Sequence, residues 1–148
     1  MFENEGKLVF TTKFEKFGDV REYTASRAAI GKRLTSDEIE IIAKQVAEAM
    51  SYLHANGISH GAIQPSNILM SSNMNFVLSG FGDVAFDPAS VSTSEQLIQG
   101  SEIKSTNIYH SPEQIDASAD GEYNAFTTDV WRYGVTLCHC VLTSLPPL

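Results

Sequence analysis

The sequence predicts a mainly α fold of the α+β class, in which long helices carry most of the core. Between residues 35 and 56, apolar side chains recur at spacings of three and four, the period of a helix with one buried face. A second run, VWRYGVTLCHCVLT, is helical in character and apolar on nearly every side. Strand-like segments are few and short by comparison. Hydrophobic residues make up 43% of the 148 residues, which suits a packed domain.

The N-terminal part is predicted to contain one strand and two helices. Leu8 to Phe14 reads LVFTTKF and is rich in β-branched and aromatic residues, which predicts a short strand. A short helix is predicted from Val20 to Ile30. The next helix begins at Thr35, which can cap the first turn while Glu38 reaches back to the amide of the cap. Gly57 supplies the left-handed residue that ends this helix.

The remaining part is predicted to contain two short strands, a long loop and a second long helix. The strands are Ile68 to Met70 and Phe76 to Ser79, joined by a polar turn. Gly80 to Ser111 is polar and without periodicity, and a loop of that length is usually functional or mobile. The second long helix is predicted to begin within the segment Thr127 to Asp129. Because it is apolar nearly all round, we expect it in the middle of a domain.

Composition argues against several classes of function. The formal net charge is -8 and the pI is about 4.8, so we expect no nucleic-acid partner and no anionic membrane partner. The N-terminus has no signal-peptide core, and no apolar run approaches the ~18 residues of a membrane span. Cys138 and Cys140 face different sides of a helix, which favours buried thiols over a disulfide or a metal site. We therefore expect a cytoplasmic protein.

Residues 60–69, HGAIQPSNIL, form the candidate site. They follow the capped helix, precede an apolar strand, and place a His, a Pro and an Asn in one short loop. Catalytic chemistry would use a carboxylate or a cation here, but the loop offers Gly61, Ala62 and Gln64. The loop therefore has the outline of an active site without its charges.

Four segments in order resemble the eukaryotic protein kinases: YLHANGISHGAIQPSNILM, LSGFGDVA, YHSPEQI and DVWRYGVTLCHCVLTSLPPL. Within that family, GDVREY and SPEQ are similar to the NIMA-related kinases. The resemblance implies that residues 1–148 are a partial protein kinase-like domain, running from the hinge strand to the central helix of the C-terminal (large) lobe. A short β-hairpin belongs to that core. The N-terminal lobe and the last helices of the large lobe would lie outside this sequence.

The resemblance also locates the absent charges. Ala62 stands at the catalytic-loop Asp, Gln64 at the catalytic-loop Lys, and Gly80 at the metal-binding Asp. Gly61 stands at the Arg that reads a phosphorylated activation loop. Asp83 is a candidate replacement metal ligand, although a surface or helix-capping role is the favoured interpretation. We therefore predict a pseudokinase: not an enzyme, with no catalytic residue and no metal site.

Several residues of the family pattern remain. Asn67 matches the second metal ligand, and Leu69 matches the residue beneath the adenine ring, so these two are the predicted residual nucleotide pocket. For Leu69, a core leucine is the competing interpretation. We expect no cofactor, with ATP and magnesium bound only if this altered site still holds them. The resemblance also implies that Asp129 anchors the catalytic loop and that His60 and Phe81 stack together.

The leading functional hypothesis is a catalytically inactive kinase-like domain with a protein-interaction or scaffold role in signalling, and therefore with a protein partner. The alternative is a fragment of an ATP-binding serine/threonine kinase with residual nucleotide binding or phosphotransfer. A third hypothesis is a gene product without selected function. The apolar faces that the absent segments would leave open imply a partner, self-association or instability.

Overall fold

The structure is a computed structural model that describes residues 2–4, 7–9, 11–100, 107–117 and 121–143. The helices are α1 (Val20–Ala29), α2 (Ser36–Ala55), α3 (Ser90–Thr93), α4 (Pro112–Asp116) and α5 (Ala125–Leu142), with a 3-10 turn at Pro65–Asn67. The strands are β1 (Phe2–Asn4), β2 (Lys7–Val9), β3 (Ile58–Ser59), β4 (Ile68–Ser72), β5 (Asn75–Leu78), β6 (Ala85–Phe86), β7 (Leu97–Gln99) and β8 (Glu122–Asn124). These strands pair antiparallel in twos: β1 with β2, β3 with β6, β4 with β5, and β7 with β8. Helices with small sheets are compatible with a partial kinase-like lobe.

The predicted strand from Leu8 to Phe14 is only partly correct. Strand β2 ends at Val9 and forms a hairpin with β1, whereas residues 11–15 form no strand. Phe14 is 85% exposed. High β-propensity produces a strand only where a neighbouring chain accepts its hydrogen bonds, and no described segment lies beside residues 11–15 in that way.

Helix α2 has the predicted boundaries. The carboxylate of Glu38, in its first turn, also contacts α1. The Thr35 hydroxyl accepts from the Glu38 amide at 3.2 Å, and the Glu38 carboxylate accepts from the Thr35 amide at 2.7 Å. The same carboxylate accepts from the Tyr23 hydroxyl and pairs with Arg27 at 3.1 Å. The capping box therefore also positions α1 against α2.

The β4–β5 hairpin is held to α2 by the amide group of Gln45. Its nitrogen donates to the Met74 carbonyl at 3.0 Å, and its oxygen accepts from the Phe76 backbone N–H at 2.6 Å. Met74 has a φ of 56°, the left-handed conformation that closes the tight turn. The apolar core beneath these contacts is formed by Val20, Leu34, Ile42, Val46, Ile63, Ile68, Met70, Phe76, Leu78 and Cys140.

Helix α5 begins two residues before the predicted start, because the Asn124 side chain caps it by accepting from the Phe126 N–H at 3.0 Å. One side is buried against the loop at residues 60–67 and α2. The opposite side is open, with Trp131 43% exposed. The prediction that α5 is buried on all sides is therefore correct for one side only. The expectation of two buried thiols is likewise met by Cys140, which is buried, and not by Cys138, which is exposed.

The segment from Gly80 to Ser111 contains more structure than the predicted loop. Strand β6 pairs with β3, and β7 pairs with β8. Along the chain, helix α3 follows β6 and precedes β7. Each partner strand is distant in sequence, so no local periodicity indicates these elements. None of the described helices is long and apolar enough to cross a membrane.

Gln45 gives a direct test of how the hairpin is held. We expect Gln45→Ala to lower the free energy of unfolding by about 1–3 kcal/mol, because it leaves the Phe76 N–H and the Met74 carbonyl without their partner. Urea denaturation measures this change. Lys44→Ala, at an exposed position on the same helix, is the matched control. Equal stability of the two variants would contradict the role given to Gln45.

Candidate functional site

The loop at residues 60–67 is held from beneath by the carboxylate of Asp129 on α5. Its oxygens accept from the backbone N–H of His60 at 2.7 Å and of Gly61 at 2.9 Å. The His54 ring nitrogen Nε2 donates to the same carboxylate at 2.9 Å. Asp129 is fully buried, so these donors compensate its charge. The predicted anchoring role of Asp129 is confirmed.

His60 has both ring nitrogens engaged. Nε2–H donates to the Ser79 carbonyl at 2.9 Å, and Nδ1 accepts from the Ala62 N–H at 3.2 Å. Burial lowers the pKa of His60, although the Asp129 charge and the Ser79 bond act in the opposite direction. The ring contacts Phe81 with centroids 4.9 Å apart, as the resemblance implied. The imidazole is therefore a neutral structural link between the loop and the end of β5.

Asn67 also serves the backbone of the loop. Its side-chain nitrogen donates to the Ala62 carbonyl at 2.8 Å, and its own carbonyl accepts from the Ser79 N–H at 2.8 Å. Leu69 is half-buried in β4 opposite Val77. Neither Asn67 nor Leu69 lines either of the cavities described below. The predicted nucleotide pocket at these two residues stays a prediction.

The two glycines at the site occupy backbone conformations that other residues avoid. Gly61 has a φ of 73° and Gly80 a φ of 79°. A Cβ at residue 61 would lie 2.3 Å from the Asp83 carbonyl oxygen, and one at residue 80 would lie 2.5 Å from Cγ of Asn67. A side chain at either position would therefore require its neighbour to move.

The residues present do not fit a magnesium ion at the position that the resemblance implies. Gly80 offers no side chain, and Asn67 offers one amide oxygen, whereas magnesium prefers carboxylate and phosphate oxygens in octahedral geometry. No group of three or more His, Cys, Asp or Glu side chains in the described part of the chain could hold a metal ion.

A polar cavity of about 540 Å³ opens beside this loop. We call it the loop cavity. It is lined by Ser59, Gly61, Ala62, Gln64, Gly82, Asp83, Val84, Ala85, Ile98, Asn107, His110, Gln114, Tyr123, Ala125, Thr128 and Arg132. Asp83 supplies the one carboxylate among these residues. The loop at residues 60–67 and the segment after Gly80 therefore meet at a common polar space.

The sequence interpretation missed Arg132 and His110 in the loop cavity. Both are more than nine-tenths buried, with 4% and 8% of their surfaces exposed. A charged residue three positions after Asp129, inside an otherwise apolar helical run, was the available indication. It places Arg132 on the same face of α5 as the residue that anchors the loop.

A second, apolar cavity of about 920 Å³ is lined by residues of α4 and of another face of α5. We call it the α4–α5 groove. It is lined by Ile108, His110, Pro112, Glu113, Ile115, Asp116, Thr127, Val130, Trp131, Gly134, Val135, Cys138 and Leu142. Glu113 is exposed where it lines this groove.

Comparison with known proteins gives consistent matches. The family model described as "Protein kinase domain" matches residues 1–148. The chain is 29% identical over 120 residues to mitogen-activated protein kinase kinase 8 of Arabidopsis thaliana, which covers 78% of this chain and 37% of that protein. It is 36% identical over 115 residues to serine/threonine-protein kinase TOS3 of Saccharomyces cerevisiae, which covers 74% of this chain and 20% of that protein.

A third relative is the phosphorylase b kinase gamma catalytic chain, liver/testis isoform, of Mus musculus. It is 28% identical over 148 residues, which covers 99% of this chain and 34% of that protein. The chain therefore spans 20% to 37% of the length of these three relatives.

The prediction that the chain is not an enzyme is contradicted by these relatives, each of which is named as a kinase or a kinase catalytic chain. That prediction rested on Ala62, Gln64 and Gly80, with Asp83 weighed only as a replacement metal ligand. In the structure Asp83 lines the same cavity as Ala62 and Gln64.

Replacing Asp129 tests the anchoring of the loop. We expect Asp129→Ala to lower the free energy of unfolding by about 3–5 kcal/mol, because three donors lose a buried charged acceptor. Amide hydrogen exchange at His60 and Gly61 should rise as well, and mass spectrometry of the exchanged protein measures it. Glu48→Ala, an exposed charge removal on α2, is the control. Unchanged exchange at both amides would refute the anchoring role.

Proposed function

Because the chain belongs to the protein kinase family, we propose that it forms part of a kinase domain in a cytoplasmic signalling protein and binds a protein partner there. In this proposal the partner binds at the α4–α5 groove. The exposed thiol of Cys138 at this groove is compatible with the reducing conditions of the cytoplasm. The assignment to the NIMA-related kinases stays a prediction.

The observation that carries this proposal is the cluster of exposed apolar side chains at the groove. Trp131 is 43% exposed, Val130 53%, Ile115 48% and Leu142 46%. Soluble proteins rarely leave adjoining apolar side chains of this size in water, and such patches mark interaction sites. A partly exposed tryptophan in a concave surface is the residue type that most often dominates binding energy.

The charges around the groove indicate the chemistry of the partner. Glu113 and Asp116 line its edge, and no Lys or Arg is among the residues that line it. The whole chain also carries a formal net charge of -8. A partner segment with an apolar anchor flanked by Lys or Arg would complement both properties.

Trp131 provides the test of this surface. Peptides selected from a displayed library against the full-length protein should carry an apolar anchor flanked by basic residues. We expect Trp131→Ala to weaken binding of a selected peptide by at least about thirtyfold, since hot-spot truncations cost about 2 kcal/mol or more. Fluorescence anisotropy of the labelled peptide measures the affinity.

The control for that experiment is Tyr52→Ala, which removes an exposed aromatic residue from α2 outside the groove. It should bind the selected peptide as the unchanged protein does. Equal affinities for the Trp131→Ala and Tyr52→Ala variants would show that the groove is not the binding surface.

Phosphotransfer is a second candidate function, and the position of Asp83 favours it. Asp83 contributes the one carboxylate among the residues that line the loop cavity, which Ala62 and Gln64 also line. A carboxylate in that cavity can accept the proton of a substrate hydroxyl, which is the role of a general base. This candidate concerns the full-length protein, of which the chain would be one part.

Asp83→Asn tests this second candidate. Loss of a general base lowers the rate about 10²–10⁴-fold, so transfer of labelled phosphate from ATP to a protein substrate should fall by that factor. Asp87→Asn, which changes a carboxylate outside the loop cavity, should leave the rate unchanged. Transfer no greater than a blank from the unchanged full-length protein would remove this candidate, and equal rates in both variants would exclude Asp83 as the base.

A further inference from the structure

The side chain of Arg132 is a buried cation that pairs with no anion among the described residues. Within that part of the chain its guanidinium makes one long contact, from Nη2 to the Gln114 side-chain oxygen at 3.4 Å. Nε has no hydrogen-bond partner among the described residues. No ion pair joins Arg132 to a carboxylate in the described part of the chain. A guanidinium stays charged in proteins, so burial without an anion is unfavourable.

The nearest acidic residue on the same helix is already committed. Asp129 accepts from the two loop amides and from His54, and its carboxylate holds the loop in place. Burial lowers the pKa of Arg132, although the charge of Asp129 raises it. Asp129 therefore reduces the cost of burying this cation but does not bond to it.

A second polar group in the same cavity is also unpartnered. His110 is 8% exposed, and its Nδ1 has no hydrogen-bond partner among the described residues. Burial and the neighbouring Arg132 charge lower the pKa of His110, while Asp83 raises it. Both Arg132 and His110 line the loop cavity. Two buried nitrogens without partners in one cavity indicate a missing polar ligand.

We propose that the loop cavity is a binding site for the phosphoryl group of a phosphate monoester, held by Arg132 and His110. Arg binds phosphate oxygens through paired N–H donors, and it is more weakly hydrated than Lys when it is buried. Gln64 and Asn107 line the same cavity, and their side chains carry amide donors suited to further phosphate oxygens. This site is distinct from the α4–α5 groove, although His110 lines both.

The size of the cavity favours a phosphorylated side chain over a bare ion. A water molecule takes about 30 Å³ of liquid volume, and a phosphate ion only a few times that. The loop cavity, at about 540 Å³, accommodates a phosphorylated amino acid together with its adjoining backbone. Asp83 faces the same space, and its negative charge opposes the binding of any anion.

The test uses the full-length protein and two probes, O-phospho-L-serine and inorganic phosphate, titrated by isothermal calorimetry. We expect O-phospho-L-serine to bind, and Arg132→Gln to weaken that binding about tenfold or more, as lost charged hydrogen bonds do. His110→Phe should weaken it less. Asp83→Asn should strengthen it about two- to fivefold, because a repelling charge is removed.

Lys32→Gln, an exposed charge removal outside the cavity, is the control and should leave the affinity unchanged. Circular dichroism checks that Arg132→Gln is folded. The gain expected in Asp83→Asn cannot arise from misfolding, so it tests the site independently. Tighter binding of O-phospho-L-serine than of phosphate identifies a phosphorylated side chain as the ligand, and equal binding identifies the free anion.

The proposal is overturned if neither probe binds the unchanged protein. It is also overturned if Arg132→Gln and Asp83→Asn both bind O-phospho-L-serine as the unchanged protein does. Neither result bears on the α4–α5 groove, because peptide binding there is measured with a different probe and a different variant.

Discussion

The carboxylate of Asp129 is the contact on which the rest of the site depends. Two consecutive backbone amides of the loop, at His60 and Gly61, and the ring of His54 converge on this one buried group. The His60 amide is buried and the other two donors are partly buried, so all three depend on this acceptor for their partner. The carboxylate thereby connects the end of α2, the loop and α5, and the two cavities take their shape around α5.

The loop keeps its shape although the charged side chains that the resemblance implies at positions 61, 62 and 64 are absent from it. Asn67 closes it by bonding to the Ala62 carbonyl, and His60 connects it to Ser79. Ala62 and Gln64 contribute no charge, yet the chain belongs to the protein kinase family and resembles named kinases along most of its length. The ionised groups of the loop cavity come from Asp83 and Arg132 instead, on neighbouring elements.

Helix α5 separates two surfaces of opposite character. Adjacent residues on a helix point about 100° apart, because 3.6 residues complete a turn. Arg132 is therefore buried in the polar loop cavity, while Trp131, the residue before it, lines the apolar groove on the other side. One helix therefore contributes polar residues to the loop cavity and apolar residues to the α4–α5 groove, and His110 lines both.

The sequence by itself determined the elements whose information is local. The capping box at Thr35 and Glu38, the period of α2 and the β4–β5 hairpin were all predictable, because each depends on residues within a few positions of one another. The anchoring by Asp129 was predictable from the family pattern. Tertiary structure alone decided the pairing of β6 and β7 with distant strands, the open side of α5, and the meeting of Asp83, His110 and Arg132 in one cavity. These features depend on contacts between residues far apart in the chain, which no local spacing records.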